Sequence, residues 1–159
     1  MDIPVLGGWI STVFCTQANT LAPVIRTFKL IGNTMNCTLT DIASFNNFEL
    51  RQASYYSNAC YFLDLIDENL KLTPLGEDIM SDPKSAKVRI YELIIKHELI
   101  GQLFAKTALY PKRKAVRDGK ELVRSLYPEY GEAVIDRRTK CLIGWCEEIL
   151  IHIRNSENK

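Results

Sequence analysis

Residues 50–66 read LRQASYYSNACYFLDLI and residues 70–76 read LKLTPLG. In the first stretch Ala53, Tyr56, Cys60, Leu63 and Ile66 recur at spacings of three and four, one side of a helix running from Phe48 to about Ile66. Arg51, Gln52, Ser54, Tyr55 and Asn58 fall on the opposite side. Asp67-Glu68-Asn69 is a turn signal between short apolar segments, so Leu65 to Thr73 is expected to form a small β-hairpin. Thr73-Pro74 then opens another helix, because threonine caps a helix start and proline is pre-set for its first position.

Upstream, Leu21, Val24, Ile25, Phe28 and Ile31 share one helical face, with Pro23 tolerable in the first turn and Gly32-Asn33 as a stop. Thr38 or Thr40 can cap a second, short helix through Phe45, which Asn46-Asn47 breaks. Helix, short helix, long helix and hairpin is the order of a winged helix-turn-helix.

The second half repeats part of this pattern. Lys84 to about Ala108 reads as one strong helical stretch, Tyr110-Pro111 breaks it, Lys112 to Leu126 supplies the next helix, and Glu132 to Ile153 a long final one. A shift of about 86 residues places Arg51 on Arg137, Ala53 on Thr139, Tyr56 on Leu142, Cys60 on Cys146 and Leu63 on Ile149. The expected fold is mainly α, with two tandem winged helix-turn-helix-like units and a small β-wing. Residues 1–82 form the first unit with an N-terminal extension, and residues 83–155 form the second. One irregular helical bundle is the alternative.

Charge divides along the same line. The net +1 of the chain hides 4 Lys+Arg against 9 Asp+Glu in residues 1–83, a net of −5, and 16 against 10 in residues 84–159, a net of +6. A basic half suits a polyanion, since each phosphate contact releases counterions. The cysteines Cys15, Cys37, Cys60, Cys141 and Cys146 contain no CxxC pair and have only His97 and His152 beside them, so no metal is expected and the thiols read as reduced and mostly core. Both histidines read as surface or half-buried helical residues. Asp2 stands where a signal peptide wants positive charge, and no run reaches the length of a membrane span. A cytoplasmic, bacterial protein with no membrane partner is expected.

The outward residues of the long helix are suited to DNA: arginine pairs with guanine, asparagine or glutamine with adenine, and serine or tyrosine with phosphate oxygens. In the second half Arg137, Arg138 and Lys140 occupy or flank the corresponding face, preceded by Lys112-Arg113-Lys114 with Arg117, Lys120 and Arg124. Together they are expected to make a phosphate clamp. No catalytic residues and no cofactor are assigned. Asp118-Gly119-Lys120 and Asp82-Pro83 are the nearest approach to a metal-dependent nuclease motif, and no sheet is visible to carry them.

The run from Leu50 to Ile66 with its Tyr-Tyr and Asn-Ala pairs, the subsequent Leu70 to Gly76, and the later Arg137-Arg138-Thr139 with Trp145 resemble a winged-helix module of bacterial restriction–modification proteins, the type II restriction endonucleases among them. That resemblance covers about two-thirds of the chain. It implies sequence-specific recognition of double-stranded DNA, as the recognition domain or subunit of an enzyme whose nuclease domain or subunit lies elsewhere. The alternative is a protein-interaction or transcription-regulatory module without catalytic activity.

Overall fold

The computed structural model describes residue 18 and residues 20–157, which leaves Cys15 and the apolar N-terminal segment outside the described residues. Eight α-helices succeed one another among them: α1 (Leu21–Asn33), α2 (Leu39–Asn46), α3 (Leu50–Phe62), α4 (Pro74–Met80), α5 (Ala86–Lys96), α6 (Glu98–Leu109), α7 (Lys112–Leu126) and α8 (Glu132–Glu157), with a 3-10 turn at Pro83–Ser85. Helices α1, α2 and α3 pack on one another, and α6, α7 and α8 do the same. α4 lies against α1 and α5.

The helix ends have local causes. Thr38 caps α2 by accepting from the amide of Asp41 (3.1 Å) while the Asp41 carboxylate accepts from the amide of Thr38 (2.9 Å). These two bonds satisfy donors that the helix start would otherwise leave unpaired. Asn47 ends α2 in the left-handed region (φ 56°), a conformation asparagine adopts more readily than most residues. Thr73 caps α4 by accepting from the amide of Gly76 (3.0 Å), with Pro74 at the first position.

Two elements differ from expectation. The helical stretch over residues 84–108 is broken at His97, whose extended backbone (ψ 131°) ends α5 and whose Nδ1 accepts from the amide of Ile100 (3.4 Å) to start α6. His97 is therefore not a helical surface residue; it is buried, and burial holds its imidazole below the ordinary histidine range, in the neutral form that can accept this bond.

The expected β-wing is absent. No strand forms among the described residues, and Ile66 and Leu72 make one isolated antiparallel bridge. The reason lies in how the connection uses its amides. α3 ends at Phe62, and Pro74, which has no amide hydrogen, begins α4. Within the connection the Asp67 carboxylate folds back to accept from the amides of Asn69 (2.8 Å) and Lys71 (3.1 Å), and Asp64 and Leu70 sit at positive φ (61° and 57°). The Lys71 amide is thus given to a side chain, and Ile66 with Leu72 is left as the one bridging pair of the turn. The winged form expected of both units is thereby corrected: the connection from α3 to α4 is a tight turn.

One contiguous hydrophobic core runs through both halves of the chain. Ala53, Tyr56, Cys60, Leu63 and Ile66, and Thr139, Leu142, Cys146 and Ile149, are all buried. Phe62 of α3 is 1% exposed and meets the rings of His97 (centroids 5.7 Å apart) and Trp145 (6.5 Å). Trp145 Nε1 donates to the carbonyl of Ala18 (2.8 Å), and the Glu148 carboxylate accepts from the amide of Leu21 (2.6 Å). Cys37, Cys60, Cys141 and Cys146 are free and buried.

A Cβ at Gly76 would run into the carbonyl oxygen of Leu65, so Gly76→Ala should cost about 1–3 kcal/mol, read as a lower midpoint in urea denaturation with an unchanged slope. Burial raises the Glu148 carboxyl above the usual glutamate range, against the hydrogen bond from Leu21 and the charge of Lys87. The folded state thus holds a proton there more tightly than the unfolded chain, and this group's contribution is full in acid and lost as pH rises through the raised value. Glu148→Gln keeps the acceptor and removes the charge. Its Tm relative to the parent should climb as pH rises above the ordinary glutamate range, and a pH-independent difference would contradict this assignment.

Candidate nucleic-acid interface

A cationic surface lies at the corner where α6 meets α7. Tyr110 and Pro111 join the two helices, and Pro111 stands at the N-cap of α7, where no side chain caps the free amides. The first turn of α7 is Lys112, Arg113 and Lys114, with no acidic residue. That placement opposes the helix macrodipole, whose positive end lies at the same place, and costs a few tenths of a kcal/mol per exposed charge. Leu109 is 75% and Tyr110 40% exposed. The Lys114 ammonium lies 4.5 Å from the centre of the Tyr110 ring, so the ring presents an aromatic surface inside a positive field.

One carboxylate organises this corner. Asp118 accepts from Lys114 Nζ (2.8 Å) and lies 3.7 Å from Arg117 Nε. The hydrogen bond from Lys114, then the charges of Lys114, Lys106 and Arg117, hold the Asp118 carboxyl below the usual aspartate range. Against Asp118 stand Lys106, Arg113, Lys114 and Arg117, so the corner keeps a positive excess.

Further along, the basic residues of α7 turn inward to α8. Lys112 pairs with Glu147 (3.3 Å), Lys120 with Asp136 (3.4 Å), and Arg124 makes two hydrogen bonds to Glu132 (2.9 and 2.8 Å). Lys140 shares Asp136 (3.0 Å), whose carboxyl is held low first by the Lys140 hydrogen bond and then by Lys120. Between these pairs the helices touch closely: a Cβ at Gly119 would stand 2.9 Å from Leu103 Cδ2 and 3.0 Å from Thr139 Cγ2. This seam is structural, and it uses the charge of Lys112, Lys120, Arg124 and Lys140.

The expected clamp of Arg137, Arg138 and Lys140 is therefore divided among three environments. Arg137 is exposed and makes no ion pair among the described residues. Lys140 belongs to the seam. Arg138 is 2% exposed, its guanidinium 4.3 Å from the centre of the Tyr130 ring. Lys114 and Arg117 do come together at Asp118, with Tyr110 against Lys114 and Arg113 exposed in the same turn, while Lys112 belongs to the seam.

On α3 the five expected residues are likewise separated by role. Tyr55 is 3% exposed, and Arg51 folds back to donate from Nε to its hydroxyl, the guanidinium 5.6 Å from the ring centre. Gln52 accepts from the amide of Glu49 (3.1 Å) and so caps α3. Ser54 and Asn58 line a groove of ≈ 440 Å³ with Tyr61, Asp67 and Glu68. The carboxylates on this groove disfavour a phosphate backbone.

Sequence reasoning missed Lys106, Leu109, Tyr110 and Asp118 as parts of the corner. The four-residue spacing of Lys114 and Asp118, and the break at Tyr110-Pro111 directly before three cations, were the available signals.

Residues 24–154 match the family described as "Domain of unknown function (DUF7226)", and the chain belongs to that family. No curated protein and no solved structure matches it. No helix among the described residues is long and apolar enough to cross a membrane.

The burial of Arg138 has a measurable consequence. Arg138→Ala removes a desolvated cation over an aromatic ring and should lose about 2 kcal/mol or more, while Arg137→Ala should leave Tm within about 1 °C of the parent, as exposed substitutions do. Equal thermal shifts for the two variants would place both side chains on the surface.

Proposed function

We propose that this protein binds double-stranded DNA through the α6–α7 corner, with Arg113 and Lys114 on phosphates, Lys106 beside them and Arg117 toward the base edges. The observation that carries the reading is the run of three cations in the first turn of α7. Inside the fold they oppose the helix dipole; Lys112 and Lys114 are met by Glu147 and Asp118, whereas Arg113 has no ion-pair partner among the described residues and is left for an anion outside the fold. The uncapped amides of the same turn add donors for a phosphate oxygen. Tyr110 and Leu109 supply an exposed aromatic and apolar surface within the same patch. Arg117, with a side chain 67% exposed, has the length and donor geometry to reach a guanine edge from a helix docked in the major groove.

Phosphate contacts of this kind position a protein on a duplex and carry no sequence information. Specific recognition then falls to Arg117, one turn further along α7, and to Arg137, the exposed arginine of α8. In the setting that the resemblance to restriction–modification modules implies, the chain is the recognition part of an enzyme and the cleavage chemistry belongs to another domain or subunit. α3 takes no part in this reading, since its polar side chains are internally engaged or lie in an acidic groove.

Fluorescence anisotropy with a duplex of about two helical turns tests the proposal. Four cationic contacts predict a log–log salt slope of about −3 to −4. Arg113→Ala with Arg117→Ala should weaken binding about tenfold or more and flatten that slope, with the far-UV spectrum unchanged. Asp118→Asn should tighten binding, because it removes the carboxylate at the centre of the patch. Affinity that is independent of salt, or that ignores all three substitutions, would refute the interface. Magnesium should leave the duplex intact.

A further inference from the structure

The groove beside α3 has the opposite character, and its chemistry is independent of DNA binding. Leu39 and Leu70 give it apolar surface over the buried Ile66, the Tyr61 ring forms part of the wall, and Ser54 and Asn58 contribute a hydroxyl and an amide. Neither the Ser54 hydroxyl nor the Asn58 amide makes a hydrogen bond among the described residues, although Ser57 in the same wall is already committed to the carbonyl of Ser54 (3.0 Å). The Asp67 Oδ1 is occupied by two backbone amides, which fixes the carboxylate in place, and Oδ2 makes no hydrogen bond among the described residues. Glu68 is exposed next to it. The basic residue nearest in sequence, Lys71, is turned away to donate to Asn36 Oδ1 (2.7 Å). No lysine or arginine among the described residues lines the groove.

An unfilled volume of ≈ 440 Å³ lies within the range of small-ligand sites. Here it combines apolar surface, an aromatic ring, an unused amide and hydroxyl, and two carboxylates with no basic side chain in the lining. We propose that this groove is a binding site for an alkyl guanidinium. The apolar stem would lie on Leu39 and Leu70. The planar head would give its donors to Glu68, the free oxygen of Asp67 and the Asn58 carbonyl, with Tyr61 contributing the attraction of an aromatic ring for a cation. A guanidinium carries five donors and no acceptor, which matches an acceptor-rich mouth better than a neutral amide of the same shape does. The head can come from a free small molecule or from an arginine side chain of a protein partner; the recognising chemistry is the same.

Isothermal titration of the full chain distinguishes these sources with two probes, agmatine and a capped Gly-Arg-Gly peptide. The same peptide with citrulline in place of arginine serves as the neutral isostere. Binding of agmatine and the arginine peptide, with at least tenfold loss for the citrulline peptide, is the expected result. Tighter binding of agmatine marks a small-molecule site, and tighter binding of the peptide marks a partner's side chain. Glu68→Gln, an exposed change in a turn, should weaken the favoured probe about tenfold, and Asn58→Leu should do so while leaving the far-UV spectrum unchanged. Arg113→Ala with Arg117→Ala should have no effect on this titration, so the site stands or falls separately from the DNA interface. Flat titrations with both cationic probes, citrulline binding as well as arginine, or unchanged affinity in Glu68→Gln would each overturn the proposal.

Discussion

One face of α8 holds the first half of the chain to the second. Cys141, Trp145 and Glu148 stand at i, i+4 and i+7, so their side chains leave the helix in one column. Cys141 Sγ and Trp145 Nε1 both point to the carbonyl of Ala18, and Glu148 takes the amide of Leu21 at the start of α1. Thr20 stands at the N-cap of α1 but does not cap it with its own side chain; its hydroxyl is 3.2 Å from that of Tyr56. The positive end of α1 is met instead by a carboxylate 127 residues away in sequence. A half-buried carboxylate is costly unless such donors face it, so the position of α1 and the ionisation of Glu148 depend on each other. α1 in turn presents Val24 to Cys60 of α3, and Phe62, two residues further on α3, returns to Trp145. The two halves close through this loop of contacts into one core.

The same rigidity sorts the charges. A chain with a net +6 half and a net −5 half has surfaces of both signs, but few of those charges are free. The α7–α8 seam alone absorbs four cations, and the ion pairs that do so are exposed or half-exposed, worth little individually in stability. Their effect is positional: with Gly119 pressed against Thr139 and Leu103, they fix the direction in which the first turn of α7 points. Residual positive charge is left at the α6–α7 corner, and residual negative charge at the groove beside α3. Each surface is held by covalent and packing constraints that do not depend on its ligand, which lowers the cost of binding for both.

The buried stripes of α3 and α8 were legible in the sequence because the helical period of apolar residues reports burial directly. Thr38 and Thr73 were legible as caps because capping is local chemistry. The wing was not: turn residues between apolar segments signal a reversal, but the number of bridging pairs was set by the Asp67 carboxylate, which takes the amide of Lys71. The break at His97 was hidden because apolar residues continue across it, and a histidine that caps through a ring nitrogen carries no strong sequence mark. Arg138 was misplaced although its spacing was readable. It precedes Leu142 by four residues and Trp145 by seven, which puts it on the core side of α8, whereas its neighbour Arg137 points out. Charge type suggests two exposed arginines there, and helical phase overrides it for one of them.

The carboxylates of α8 govern the corner as well. Composition alone makes residues 112–124 a basic run, and on composition every cation in it is equivalent. Internal pairing separates them. Lys112, Lys120 and Arg124 meet Glu147, Asp136 and Glu132 of α8, whereas Arg113 and Arg117 stand a helical turn apart and exposed, with Lys114 beside Asp118. A duplex therefore meets a set of two arginines and one lysine that the fold has already divided from the structural pairs, next to an aromatic ring held in place by that lysine. The acidic groove is the converse case, in which the outward face of α3 carries the residue types of a DNA reader but stands behind Asp67 and Glu68. Residue type nominates a surface, and the charge that remains after internal pairing determines which ligand it can accept.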